Sequence, residues 1–558
     1  MFAAGKGLER GSVRFLERSL SEKLGVPVTV KDLGLRGTGL EARGIRAAPG
    51  DRGIGLALDR VSVAWDRIDI VGGDIALGDR AIFYGFQNQR PPRESARSGR
   101  RSWWSPDVVR FERISISLES PEGARKLGTI RGEIDRGENG TSGHIAASME
   151  SLEAEGRLSS SGGESGAIHF RGDFDVRARG FTWDPVSRDP MTADVRVELE
   201  GTWDGASLGL SRGRIHSGGA ELEWSGSVAP NSPEGPLVDL QVALGRTDCQ
   251  RVIDALPKGV MGEYSGFVLD GTLSGKARLR LAPERPDLTR FEVNVSDRCR
   301  FRKVPAAAAL TRVRGPFTHR VAVQRSGAAS GRDETLTFVT GPSSPRWVPL
   351  ERISPFFLHA VLAQEDAQFF THAGFLPAAF ETALARNLEE RRFASGGSTI
   401  SMQLARNLFL AREKTLSRKV QEVVLTWWIE RSLTKQEILE LYVNLIEFGP
   451  GVYGIGPASQ HYFGCAPESL SPAEAAFLAT VLPSPVRRHR DYERGSLSSW
   501  SRARVEQLLR RMWDRGRIDD EALSHGLDEA RWLTFRQGSG QRFRRRENFG
   551  RAALLPFS

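Results

Sequence analysis

Cysteine is almost missing from this chain, with three in 558 residues. Cys249, Cys299 and Cys465 lack metal-ligand spacing, which excludes a zinc-ribbon or zinc-finger module. An odd count leaves at least one thiol unpaired. A Cys249–Cys299 bridge stays open, but the preferred reading is two lone buried thiols. Also missing is any run of about 18 apolar residues, so no transmembrane helix is visible. Met1 to Ser21 has no apolar signal-peptide core either. No nucleic-acid fingerprint is present, so a DNA- or RNA-binding class is set aside.

What is there is ordinary in bulk and unusual in charge. Hydrophobic content is 39% and charged content 26%, values typical of globular proteins. The length suits two or three domains with substantial cores. The formal net charge is +9, mostly from arginine. Such a balance favours an anionic partner, and without a nucleic-acid motif that means a phospholipid surface or a diphosphate.

Hydrophobic periodicity divides the chain. Residues 1–25 read as a basic amphipathic helix with Val13, Phe15, Leu16 and Leu20 on its apolar face. That helix either lies on a membrane or follows an anchor upstream. From 26 to 335 the period is two, as in Val61-Ser-Val63-Ala-Trp65, Ile114-Ser-Ile116-Ser-Leu118, Val195-Arg-Val197-Glu-Leu199 and Val238-Asp-Leu240-Gln-Val242. Glycine and Asp/Asn clusters punctuate these runs, predicting a long antiparallel meander. An Arg/Pro/Ser-rich loop, 87–106, interrupts it and carries Trp103-Trp104. Past Gly341-Pro342 the period becomes helical, and 341–526 reads as a mainly α domain before a basic tail, 527–558.

The opening of the β-rich part resembles AsmA-like envelope proteins. The residues that carry the likeness are Val28-Thr-Val30, Gly39-Leu-Glu-Ala-Arg-Gly44-Ile45, Leu58-Asp-Arg-Val61-Ser-Val63 and Gly73-Asp74-Ile75. The resemblance implies a β-groove domain on the periplasmic side of a bacterial envelope, in a family linked to lipid handling.

The chemistry lies between Glu365 and Gly464. Glu365 ends an apolar helical stretch beside Asp366; partial burial and a neighbouring carboxylate both raise a glutamate pKa, which suits a general base. A Glu-Asp pair at a helix end is also commonly just solvated. Glu422 stands four residues after Arg418, so a plain surface ion pair is one reading. Lys414, Arg418 and Glu422 also share one helical face, an arrangement that can hold a diphosphate. Gly396-Gly397-Ser398-Thr399 opens a helix, with Ser398 or Thr399 as its N-cap, and offers N–H groups to an anion.

Taken together, five ordered motifs resemble glycosyltransferase family 51, the peptidoglycan glycosyltransferases. They are Glu365-Asp366-x-x-Phe369-x-x-His372-x-Gly374, then Gly397-Ser398-Thr399-Ile400-x-x-Gln403-Leu404-x-x-Asn407. Arg418-Lys419-x-x-Glu422, Ile438-Leu-Glu-x-Tyr442-x-Asn444 and Gly454-Ile455 with Tyr462-Phe463-Gly464 complete the set. The likeness runs from about Trp347 to Arg488.

That resemblance implies a lysozyme-like helical fold and inverting polymerisation of lipid II onto a glycan carried by undecaprenyl diphosphate. Glu365 would be the base on the attacking 4-hydroxyl. Glu422 would lie by the donor diphosphate, directly or through a divalent ion, Mg2+ or Mn2+. Asp366, Phe369, Gly397, Ser398, Thr399, Gln403, Arg406, Lys414, Arg418 and Lys419 match positions around substrate. His372 is expected to hold the fold by hydrogen bonding.

The implied location is the periplasmic face of the inner membrane. The implied partners are lipid II, the membrane surface and, as candidates, transpeptidases or other cell-wall synthesis proteins. The chain departs from the family pattern at Gln368, Met402, Arg406 and Lys414. No Ser-x-x-Lys accompanied by its partner motifs occurs, so no transpeptidase is expected. Two alternatives remain: a non-catalytic lipid-binding scaffold with a decayed transferase module, and a lytic transglycosylase. The lytic reading has no use for the cationic stripe around Glu422.

Overall fold

A computed structural model describes residues 12–36, 39–47, 54–64, 66–78, 107–120, 123–137, 140–162, 167–184, 186–323, 334–392, 396–411 and 415–536, apart from 22–25. The loop expected at 87–106, Lys414 and most of the basic tail lie outside them. The chain divides into two compact units. The first comprises Met1–Val260, Val268–Arg302 and Glu381–Ser395; the second comprises Met261–Phe267, Lys303–Phe380 and Gly396–Ser558.

The first unit is a 15-stranded sheet that follows the chain almost strand by strand, from β1 (Val28–Arg36) to β13 (Gly235–Asp248). After the short β14 (Val268–Asp270), β15 (Thr272–Leu281) and β16 (Arg290–Asp297) complete it. The expected antiparallel meander needs one correction: β4 (Arg67–Gly78) and β5 (Val108–Ser120) are parallel. A connection of almost thirty residues can return the chain to the same end, which a tight hairpin cannot.

Alternation sorts the two faces. Between β9 (Ile168–Trp183) and β10 (Ser187–Trp203), Val195 opposes Val176 and Val197 opposes Phe174. The intervening Arg196 pairs with Asp173 on the opposite face. The apolar row continues through Leu222–Leu244, Trp224–Val242 and Leu240–Leu279. These side chains are only half-buried.

Full burial is reached at the start of the sheet, where Val28, Val30, Ala42, Ile45 and Ala47 form a core. Helix α1 (residues 12–21) places Val13, Leu16 and Leu20 against it and leaves Phe15 exposed. Three of the four residues assigned to a membrane-facing stripe are therefore used internally. A second correction concerns Cys249 and Cys299, expected as lone thiols; they form a disulfide with Cα atoms 5.8 Å apart. Helix α2 (Cys249–Asp254) starts at one and Cys299 precedes the strand Arg300–Lys303, so pairing across 50 residues depends on sheet register, which local spacing cannot reveal. Cys465 is free.

The second unit is mainly helical. Its helices include α3 (Pro355–Glu365), the start of α4 (Pro377–Glu389), α5 (Ile400–Phe409), α6 (Leu416–Ser432) and α7 (Lys435–Leu445). They continue as α8 (Ile455–Phe463), α9 (Pro472–Val481), α10 (Pro485–Arg488), α11 (Arg490–Arg494), α12 (Ser499–Asp514) and α13 (Asp520–Trp532). Helix α9 is apolar nearly all round and every residue of it is buried, as expected for a central helix. A capping box between Ser471 and Glu474 fixes its start. Helices α3, α12 and α13 pack around it. Each fully buried phenylalanine or leucine there contributes about 1.5–3 kcal/mol.

Candidate functional site

Glu365 is the last residue of α3, held in place by the buried Phe357, Ala360 and Val361. The helix stops because Asp366 turns into extended backbone and commits its side chain elsewhere. Asp366 accepts from His372 Nε2 at 2.9 Å and from the Ile400 N–H at 3.1 Å. His372 Nδ1 in turn accepts from the Gly374 N–H at 3.0 Å. His372 thus holds the Asp366 carboxylate, which in turn joins the loop after α3 to the start of α5. Phe369, 1% exposed, lies under the Lys435 ammonium and is a packing residue.

Helix α5 supplies the partner of Glu365. Thr399 is the N-cap, accepting from the Met402 N–H at 3.2 Å and donating to the Gly374 carbonyl at 2.6 Å. Gly397 is required by close approach, since a Cβ there would stand 2.7 Å from Phe380 Cα. Ser398 is half-buried at the same turn. One turn into α5, the Gln403 amide donates to Glu365 Oε2 at 2.8 Å. The Tyr442 hydroxyl donates to Gln403 Oε1 at 3.1 Å, so Tyr442 on α7 orients the amide. Met402 is buried, in the packed face of α5.

The electrostatics of Glu365 follow from this position. Oε1 is buried with no hydrogen-bond partner among the described residues. Burial is the main influence and raises the carboxyl above its ordinary range. The Gln403 bond and the charges of Arg488 and Arg406 oppose that rise, and Asp366 adds to it. One oxygen is held, the other free to take a proton.

Glu422 is 1% exposed, which rules out the surface ion pair. Lys419 Nζ lies 2.7 Å from Oε1 and Arg418 Nη1 3.4 Å from Oε2. The second cation of this stripe among the described residues is therefore Lys419, one turn before Glu422 on α6. Thr415 caps that helix by accepting from the Arg418 N–H. Lys419 remains 46% exposed, so its ammonium faces outward from a buried anchor.

A divalent ion shared with a diphosphate would have Glu422 as its carboxylate ligand. Both Glu422 oxygens are engaged by cations, and no group of three His, Cys, Asp or Glu side chains that could hold a metal occurs among the described residues. The protein itself also supplies positive charge there, through Arg418 and Lys419.

The local sequence thus builds two stations: a buried carboxylate poised to accept a proton, and a cationic shelf over a buried carboxylate. In the sequence Tyr442 stands out only as part of a motif, and Arg488 does not stand out at all. Their bearing on Glu365 arises from helix packing that no spacing encodes.

A family model described as Transglycosylase matches residues 333–513. A biosynthetic peptidoglycan transglycosylase of Nitrosomonas eutropha is 48% identical over 160 residues, 29% of this chain and 65% of the relative. That of Nitrosomonas europaea is 52% identical, covering 25% and 57%. A third, of Nitrosospira multiformis, is 43% identical, covering 30% of this chain and 71% of the relative. The chain belongs to the transglycosylase family through its helical unit, and it spans less than two thirds of the length of the first two of these relatives. A solved penicillin-binding protein 1A of Haemophilus influenzae is 21% identical with a TM-score of 0.19, covering 35% of this chain and 18% of that one, and carries no argument.

Proposed function

We propose that the chain is a peptidoglycan glycosyltransferase that extends glycan strands from lipid II and releases undecaprenyl diphosphate. The observation that carries this is Glu365, a buried carboxylate with a raised pKa, one oxygen fixed by Gln403 and the other unpartnered. A base so poised removes the proton from the incoming sugar's 4-hydroxyl as it attacks the donor C1. The departing diphosphate develops charge, and Lys419 and Arg418, anchored on Glu422, stand ready to receive it. By the same reading Arg406, whose charge acts on Glu365, and Ser398, at the turn that opens α5, contact the sugars. The transferase part spans 341–526 and takes the lysozyme-like arrangement of the family, at the periplasmic face of the inner membrane. Transpeptidases are its candidate partners.

Purified protein supplied with labelled lipid II should form moenomycin-sensitive polymer, and Glu365→Gln should not. Polymer from the variant would remove Glu365 from its role. Anhydro-muropeptides from finished peptidoglycan would support the lytic alternative, and no product at all the scaffold.

For the β-rich unit we propose lipid presentation from an AsmA-like groove. The half-buried apolar row through Val197, Trp224, Leu240 and Leu279 supports it. Lipid extracted with the purified chain should fall sharply in Leu240→Asp; undiminished lipid would end the idea.

A further inference from the structure

Helices α10 and α12 assemble a second group of side chains, of which the proposed chemistry uses only the charge of Arg488 on Glu365. The Arg488 guanidinium, at the end of α10, lies 5.1 Å from the centre of the Trp500 ring. That of Arg504, one turn along α12, lies 5.3 Å from it. The indole is 54% exposed. Further along α12, Arg511 donates to the Ala363 carbonyl at 3.2 Å, tying this helix to α3 two residues before Glu365. Arg488 is close enough that its charge and that of Glu365 act on each other.

The cluster is only partly compensated internally, because the Glu365 and Asp491 carboxylates favour the Arg488 charge from beyond ion-pair distance. Among the described residues neither Arg488 nor Arg504 has a carboxylate within ion-pair distance, and Arg504 reaches only Gln507 Oε1, at 3.4 Å. Asp491, nearby in sequence, is already taken by Arg494 at 2.9 Å and by the Ser498 N–H at 3.0 Å. Burial is the main influence lowering the Arg488 pKa, Arg504 and Arg487 add repulsion, and Glu365 and Asp491 oppose them in part. Two guanidiniums held around one ring with no carboxylate in contact cost free energy that a bound anion would offset. The ring presents a flat apolar face, and guanidinium forks match carboxylate and phosphate oxygens.

We infer that Trp500, flanked by Arg488 and Arg504, is a binding subsite for an anionic sugar. The sugar's apolar face stacks on the indole and its negative substituent pairs with the guanidiniums. The inference rests on the reading of Glu365 as the base, because the subsite holds the substrate beside it. The negative substituent is a carboxylate of the muramyl peptide or the diphosphate, and soluble probes separate the two.

Binding to the full-length chain is measured calorimetrically, without turnover, for UDP-N-acetylmuramyl-pentapeptide, UDP-N-acetylglucosamine and muramyl-pentapeptide. Trp500→Ala should weaken the first probe tenfold or more. Arg504→Gln should weaken it to a similar degree, and Trp500→Phe should restore most of the affinity. Trp532→Ala, 78% exposed at the end of α13, serves as the control and should bind like wild type.

An Arg504→Gln loss confined to muramyl-pentapeptide identifies the carboxylate; one confined to UDP-N-acetylglucosamine identifies the diphosphate. Folded Trp500→Ala or Arg504→Gln protein with wild-type affinity for all three probes overturns the subsite. Where Trp500→Ala does not fold, Arg504→Gln decides. Trp500-dependent binding in a chain that makes no polymer keeps the subsite and sinks the transferase reading. Polymer made by Trp500→Ala at wild-type KM sinks the subsite alone.

Discussion

The side-chain amide of Gln403 donates to Glu365 Oε2 at 2.8 Å, across a gap of 38 residues in sequence. This bond lets a buried carboxylate stay ionisable. Burial alone pushes Glu365 up, and the amide stabilises the charged form against it. Because Tyr442 donates to the same amide's oxygen, the nitrogen is left pointing at Glu365.

The first prediction concerns pH. Glu365 acts as a base only when deprotonated, so activity rises with pH through its raised pKa. The acid limb of kcat/KM should therefore lie above the ordinary carboxylate range. Gln403→Leu should move that limb up, because the bond it removes favours the charged form. Arg406→Gln should move it the same way, since the Arg406 charge also lowers the pKa. A limb that stays put in both variants would show that another group titrates.

The second concerns the cationic shelf. Lys419→Met leaves a buried Glu422 with only Arg418, and kcat/KM should fall about 10–100-fold, the scale of a lost charged hydrogen bond. Glu422→Gln should also lower it. Because the two residues act as one pair, the double variant should be clearly less impaired than the product of the single losses. Simple multiplication of the two effects would mean they act independently.

The third concerns acid stability. His319 and His359 are buried, and burial lowers each pKa to about 4. The unfolded chain titrates near 6.5, so between about 6.5 and 4 it binds more protons than the native one and stability falls with pH. Above about 6.5 both states are neutral and the contribution is flat. The melting temperature of the helical unit should drop through that window, and less steeply in His319→Phe. An identical slope in the variant would remove His319 from the account.

The fourth concerns the disulfide. Cys249–Cys299 closes a loop of 50 residues, and its loss should cost the β-rich unit roughly 2–4 kcal/mol. Chemical unfolding of Cys249→Ser should show this, with little change in the helical unit. Equal stability with and without reductant would contradict it.

Much of the fold was legible from the chain. Val195-Arg-Val197-Glu-Leu199 alternates and forms a strand with its apolar members on one face. Ile400, Leu404, Ala405 and Leu408 recur at helical spacing and are all buried. The parallel pairing of β4 and β5 and the Cys249–Cys299 bridge were not legible, because strand order and register are long-range properties.

In the candidate site the division is sharper. The sequence alone determined which residue types stand where: two glutamates, a capped glycine turn, and an Arg-Lys pair one turn before Glu422. It also determined their family, since motif order survives without coordinates. Only the tertiary structure decided how they are charged. Desolvation of Glu365, the amide reaching it from α5, the burial of Glu422 and the arginine from α10 all depend on helices packing together. Electrostatic energies depend on distance and surrounding medium, and neither is written in the order of residues.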